Sequence, residues 1–390
     1  MQISRELKNS KKAPEEVLNV AEAPIQTENK ARTPSSHAST SKAQSKFDET
    51  NETTKQSGKF QSHSKKLSPC PCLIVGHRTT DEMRRCVLTK CINRVLSPCK
   101  PDQLYGRRSA DDQIITMATL EQQYSDDIAL FNNIGGWWYP DEKCAPKHHV
   151  AIIIPFRERE THLPILLKNL IPILRKRRYH YRIFVIEQSK KYTFNKGKLQ
   201  NIGFKEALKH FPYTCFIFHD VDLIPEDDRI YYGCEDSPMH LSVAIDIYEY
   251  KLPYSFLFGG VQMFTRAHYE LINGYSNSFW YWGGEDDNLY MRTKHRNIKP
   301  KRQDTEVARY KSLFHKRRDL MQNGMKFMEK SLQYFEKDGL NNLQYSVESI
   351  RELPLYTHIV VDVNKEGDRE FGLFTYEKDD FLTLHRMGKL

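Results

Sequence analysis

The chain has 390 residues, 39% of them hydrophobic and 12% aromatic, enough for a sizeable core in one large or two ordinary domains. Its net charge of +9 invites a nucleic-acid partner, yet Lys and Arg are scattered. The clusters Arg175-Lys176-Arg177-Arg178 and Lys316-Arg317-Arg318 carry no interleaved aromatics for stacking bases, so nucleic acid is excluded and the surplus suits an anionic nucleotide or a membrane surface.

Residues 1–66 hold almost no aromatics and are rich in Ser, Thr, Lys, Gln, Glu and Ala. They cannot bury enough surface to offset chain entropy and are expected to form a disordered, stem-like linker, with a glycosylation sequon at Asn51-Glu52-Thr53. Strand and helix patterns alternate beyond it. Strands are expected over residues 150–154, 181–186, 214–218, 241–245 and 256–261. Helices are expected over 163–174, interrupted by Pro164 and Pro172, over 194–210 and over about 285–295. This order implies a nucleotide-binding α/β half followed by a mixed half that carries an acceptor. Eight cysteines without a Cys-x-x-Cys pair argue against a zinc ribbon and for a disulfide-permissive compartment.

Two acidic clusters carry the chemistry. Asp220-Val221-Asp222 follows the apolar run Phe216-Ile217-Phe218, so both acids emerge at the carboxyl end of a buried strand, the edge where ligands bind in open α/β sheets. Two carboxylates spaced i, i+2 there suit a hard divalent cation that holds a phosphorylated donor. Gly283-Gly284-Glu285-Asp286-Asp287 follows the aromatic run Phe279-Trp280-Tyr281-Trp282. Paired glycines admit close backbone approach, aromatic rings stack on the apolar face of a sugar, and acids open a helix. The field of that helix end is expected to keep Asp286 ionised at neutral pH, as a general base requires.

At these residues the chain resembles the β-1,4-galactosyltransferases, which are inverting enzymes of GT-A fold. The resemblance covers roughly residues 67–364 and rests on Ile152-Ile153-Ile154-Pro155-Phe156-Arg157-Glu158-Arg159, Phe194-Asn195-Lys196-Gly197-Lys198-Leu199 and the block from Cys215 to Pro225. It rests also on Phe258-Gly259-Gly260-Val261, the block from Trp282 to Asp287, and Asp338-Gly339-Leu340-Asn341. It implies one nucleotide-sugar-binding domain with a mixed central sheet, followed by an extension at 365–390 for which no role is derived. By resemblance, Pro155, Phe156, Arg157, Arg159, Phe194, Lys196, Asp220, Val221, Gly260 and Glu285 bind a UDP-sugar donor. Tyr254, Trp282, Gly284, Asp286 and Asp287 bind the acceptor, a glycan ending in N-acetylglucosamine, with Met325 and Met328 near its N-acetyl group. Asp286 is then the catalytic base, and Asp222 and His315 ligate Mn²⁺. The resemblance also implies a bridge between Cys215 and Cys234 and another from Cys144 to Cys70 or Cys72. It implies a Golgi-lumenal enzyme held by an N-terminal membrane helix, although no run of about 18 apolar residues occurs in this sequence to form that anchor.

Four departures from the family pattern stand out. Lys196 replaces the usual Arg, keeping the charge without the fork. Ser312 takes the place of a thioether metal ligand, a harder donor that is expected to make Mg²⁺ more acceptable beside Mn²⁺. Tyr281 replaces a glycine between the two tryptophans, which restricts the backbone there. Leu257 stands where the galactose-specific members have a tyrosine, leaving apolar room for an N-acetyl methyl group on the donor. The chain is in this respect most similar to the invertebrate β-1,4-N-acetylgalactosaminyltransferases, and UDP-N-acetylgalactosamine is the expected donor. The alternatives are a galactosyltransferase acting on N-acetylglucosamine or xylose, and a non-catalytic glycan-binding protein on the same fold.

Overall fold

The structure is a computed structural model that describes residues 96–126, 135–140, 144–315 and 331–364. Its elements in chain order are α1 (Met117–Gln123), β1 (Trp137–Trp138), β2 (His149–Phe156), α2 (His162–Lys176), β3 (His180–Gln188), α3 (Lys196–His210), β4 (Cys215–His219) and β5 (Leu223–Pro225). There follow β6 (Met239–His240), β7 (Ala244–Ile245), β8 (Val261–Thr265), α4 (Arg266–Leu271), α5 (Glu285–His295), β9 (Lys301–Arg302), β10 (Arg309–Ser312), β11 (Ser346–Glu352) and β12 (Thr357–Asp362).

A nine-stranded mixed sheet runs in the order β11-β12-β3-β2-β4-β8-β6-β9, with β1 paired to β3 off this path. Strands β12, β3, β2 and β4 are parallel, whereas β8 runs antiparallel to β4. The run His149–Phe156 is apolar on both faces because both faces are covered. Val150, Ile152 and Ile154 join α2 in one core cluster, while Ala151 and Ile153 join α3 in the other. The period of two thus divides a single strand between two cores.

Helix α2 continues through both prolines, against the expected interruptions. Pro164 lies in the first turn, where its missing N–H would have no helical partner. Pro172 is interior, but Leu166, Leu167, Leu170, Ile171, Ile173 and Leu174 around it are buried, and that packing outweighs the lost hydrogen bond.

Two expected strands are displaced. The segment 256–260 is a loop, and β8 begins only at Val261, because Gly260 turns the chain at φ 84° and the Gly259 carbonyl is held by His240 Nε2 at 2.8 Å and Ser242 Oγ at 3.0 Å. The expected strand at 241–245 is reduced to its last two residues, and a separate strand lies just ahead of it. Met239–His240 pairs with β8 in the large sheet, and Ala244–Ile245 pairs with β10 in a separate three-stranded sheet ordered β5-β10-β7.

Two disulfides brace this frame. Cys215–Cys234 forms as expected, with Cα atoms 5.5 Å apart. Cys144, however, bonds Cys99, which corrects the expected partner, Cys70 or Cys72. A backbone ladder brings the two segments together, Cys99 N donating to Ala145 O at 2.8 Å and Ala145 N to Ser97 O at 2.9 Å, and this sets Cys99 rather than a more distant cysteine beside Cys144.

Candidate active site

The carboxyl ends of β2 and β4, the amino ends of α3 and α5, and the chain after β10 converge on one open cleft of about 660 Å³. It is lined by Pro155, Arg157, Arg159, Phe194, Lys196, Asp220, Val221, Asp222, Tyr281, Trp282, Glu285 and His315. Ten of the donor and metal residues read from the sequence, among them all four of Arg157, Phe194, Asp222 and His315, meet there. Phe156, Leu257, Gly260, Tyr254, Gly284, Asp286, Asp287 and Ser312 are not in that lining. Met325 and Met328 lie outside the described residues.

Each side chain is placed by local structure. Arg157 Nη1 donates to Tyr192 O at 2.7 Å and its guanidinium lies 5.2 Å from the Phe194 ring centroid, which fixes the loop after β2. Asn195 caps α3, its side chain accepting from Lys198 N at 2.9 Å, and so sets Lys196 at the first helical position. Strand β5 pairs with β10, and Leu313 N donates to Asp222 O at 2.8 Å. That short ladder carries His315 to Asp222, where Nε2 and Oδ2 are 2.7 Å apart. Gly283 and Gly284, at φ 108° and 88°, make the left-handed entry to α5 and orient its three leading acids.

Lys196 ties the two acidic clusters together. Its ammonium is 3.0 Å from Asp220 and 3.4 Å from Glu285. Burial alone would lower the Lys196 pKa, but the charges of Asp220 and Glu285 outweigh it and hold the lysine protonated. Asp220 is pushed up to about 6, chiefly by burial, with Lys196 opposing and the neighbouring Asp222 charge adding to the rise. Asp222 goes the other way, because the hydrogen bond from His315 and its charge more than offset burial.

Asp286 overturns the helix-dipole expectation. Burial first, and then the charge of Glu285, raise it to about 8, and Lys196 offsets only part of this. The carboxyl is therefore largely protonated at neutral pH in this structure, since desolvation exceeds what a helix terminus supplies. Its oxygen Oδ2 occupies the space a side chain would take at Gly259, where an added Cβ would stand 2.2 Å away. Asp287 accepts from the Tyr254 hydroxyl at 3.0 Å, joining two of the expected acceptor residues.

A divalent cation fits this donor set. Asp222 and His315 offer an oxygen and an imidazole nitrogen side by side in the cleft, while Asp220 two residues away is engaged by Lys196, whose ammonium is 3.0 Å from both carboxylate oxygens. Among the described residues no three His, Cys, Asp or Glu form a metal cluster. Ser312 is half-buried at the end of β10, its N–H donating to Asp246 Oδ1 at 2.8 Å.

Three residues of the site were not singled out in the sequence as contributors to it. Tyr281 lines the cleft, Gly259 seats Asp286, and His162 Nε2 lies 3.2 Å from the Phe314 carbonyl just ahead of His315. The glycine pair at 259–260 and the aromatic at 281 were visible signals. His162 had none, because its partner is 152 residues away.

Comparison with known proteins agrees with this geometry. The family described as the N-terminal region of glycosyl transferase group 7 matches residues 97–235, and the one described as the N-terminal domain of galactosyltransferase matches residues 239–316. The chain is 40% identical over 274 residues to beta-1,4-galactosyltransferase 5 of Mus musculus, covering 69% of each. It is 43% identical over 272 residues to that of Danio rerio, covering 69% of this chain and 70% of the relative. Against beta-1,4-galactosyltransferase 6 of Homo sapiens the identity is 41% over 273 residues, again 69% of this chain and 70% of the relative. The catalytic domain of Drosophila beta1,4galactosyltransferase 7, solved with xylobiose, superposes with a TM-score of 0.51 at 24% identity, covering 58% of this chain and 99% of that one, and shares the GT-A fold. With its cleft, its paired acidic clusters and these relatives, the chain belongs to the β-1,4-galactosyltransferase family of glycosyltransferases.

Proposed function

We propose that the protein transfers N-acetylgalactosamine, in preference to galactose, from a UDP-sugar to O4 of a terminal N-acetylglucosamine, with inversion at the anomeric carbon. The observation that carries the transferase reading is the single ionic chain that runs from Asp220 through Lys196 to Glu285, beside the Asp222 and His315 pair. A protein that only binds glycans needs neither a cation-binding pair nor a carboxyl buried beside it.

The residues divide the work. Arg157 and Arg159 carry the charge that holds the diphosphate, and Phe194 supplies a face for the nucleoside. Asp222 and His315 would hold a divalent cation, which when bound would supply Lewis-acid neutralisation of negative charge on the diphosphate. Asp286 accepts the proton from the acceptor O4 as that oxygen bonds to the anomeric carbon and the bond to the diphosphate breaks. Asp287 and Tyr254 hold the neighbouring hydroxyl, and Glu285 holds the donor sugar.

Leu257 supports N-acetylgalactosamine. It is half-buried, with its N–H donating to Tyr254 O at 3.2 Å and its carbonyl accepting from Arg302 Nη2 at 3.1 Å, so its backbone is fixed two residues ahead of the glycine that seats Asp286. An aliphatic side chain there leaves apolar room beside the donor. Galactose is the second reading, favoured by the names of the relatives at 40–43% identity, all galactosyltransferases. The two disulfides support an oxidising compartment such as the Golgi lumen, and no described helix is long and apolar enough to cross a membrane.

The test is incubation of the full chain with UDP-N-acetylgalactosamine and an N-acetylglucosaminide, in Mn²⁺ and then in Mg²⁺, with the product's linkage read by NMR. A β1,4 product is expected, in Mg²⁺ as well as Mn²⁺ because of Ser312. An α linkage, or transfer to another hydroxyl, would contradict the mechanism, and silence in Mg²⁺ alone would contradict the metal reading.

A further inference from the structure

Among the residues that line the cleft, Tyr281 alone has a positive φ, at 81°. A bulky L-residue is strained in that region, and such strain persists only where the surroundings over-determine it. Two contacts do so here. The Tyr281 N–H donates to Phe194 O at 3.2 Å, and its side chain packs partly buried against the second apolar core. Phe194 in turn lies beneath the Arg157 guanidinium at 5.2 Å. Arg157, Phe194 and Tyr281 thus form one continuous wall of the cleft, although at position 281 glycine would adopt the same backbone freely.

We propose that Tyr281 is a specificity-determining contact of the nucleotide-sugar donor, its ring set by the left-handed backbone beside Phe194 so that it faces the nucleoside. The proposal rests on the reading of this cleft as a UDP-sugar site. A planar ring with a terminal hydroxyl offers a π-face to a base and a polar group to the ribose or diphosphate, two features that a glycine at the same position would lack.

The experiment compares the full chain with its Tyr281→Ala, Tyr281→Gly and Tyr281→Phe variants. UDP affinity in Mn²⁺ is measured by calorimetry, donor and acceptor KM by steady-state transfer, and thermal midpoint by scanning calorimetry. Ala and Gly are expected to weaken UDP binding and raise donor KM about tenfold, with acceptor KM within about twofold and with Phe retaining most of the affinity. Gly, which relieves the strain, is expected to melt above Ala, so the loss of binding is read in a variant whose backbone is at ease. Wild-type UDP affinity in both Ala and Gly, with only the thermal midpoint moved, would overturn the proposal and leave Tyr281 a packing residue. Failure of the wild-type protein itself to bind UDP would overturn the donor reading and this proposal with it.

Discussion

Asp286 presses against Gly259 so closely that no Cβ fits between them, and its acidity follows from that confinement. A carboxyl at about 8 must lose its proton before it can take one from the acceptor, so kcat/KM is expected to rise about tenfold per pH unit below pH 8 and level off above it. A flat profile between pH 6 and 9 would remove Asp286 as the base. The Asp286→Asn variant is expected to lose roughly 10²- to 10⁴-fold in kcat. Its stability has the opposite sign. The folded pKa lies above the ordinary 3.8, so stability falls as pH rises from 3.8 to about 8, where the unfolded chain has released this proton and the folded one still holds it, and the Asn variant should melt higher than wild type at pH 9. The acidic cluster at 283–287 was legible in the sequence because its composition is unusual; the protonation of Asp286 was not, because its burial against Gly259 is a property of packing between segments apart in the chain.

At the scale of elements, regularity was read well where one pattern dominates. Helix α5 occupies the expected 285–295, since glycines precede it and basic residues close it. The strand at 256–261 was misplaced because Phe256, Leu257 and Phe258 look like strand residues, while the Gly259-Gly260 turn and the hydrogen bonds from His240 and Ser242 decide otherwise. The same turn yields a sharp prediction. Gly259→Ala inserts a Cβ 2.2 Å from Asp286 Oδ2, so the carboxylate must move. Activity is expected to fall about 10²-fold while the thermal midpoint changes little, because Gly259 is not among the residues of positive φ. Unchanged activity in this variant would mean that the placement of Asp286 against the turn does not matter to the reaction.

For the whole molecule, the alternation of strands and helices was enough to give an α/β sheet with its ligands at the strand ends, because residues such as Ile152 and Ile153 are apolar on both faces of β2. The Cys99–Cys144 bridge was missed, as connectivity depends on the ladder between residues 97–99 and 145 rather than on spacing. The Cys215–Cys234 bridge closes a span of 19 residues between β4 and the chain leading to β6, and its removal in a Cys215→Ser, Cys234→Ser variant is expected to cost about 3 kcal/mol of stability in denaturant unfolding. An unfolding curve identical to wild type would show that the bridge does not constrain the domain. The central claim, that this cleft moves N-acetylgalactosamine, is tested most directly by competing UDP-N-acetylgalactosamine against UDP-galactose on the full chain and on its Leu257→Tyr variant, with one N-acetylglucosaminide as acceptor. Faster transfer of N-acetylgalactosamine by the wild-type protein, with the ratio shifted toward galactose by about 10- to 200-fold in the variant, is the predicted result. A wild-type preference for galactose that Leu257→Tyr leaves unchanged would contradict it.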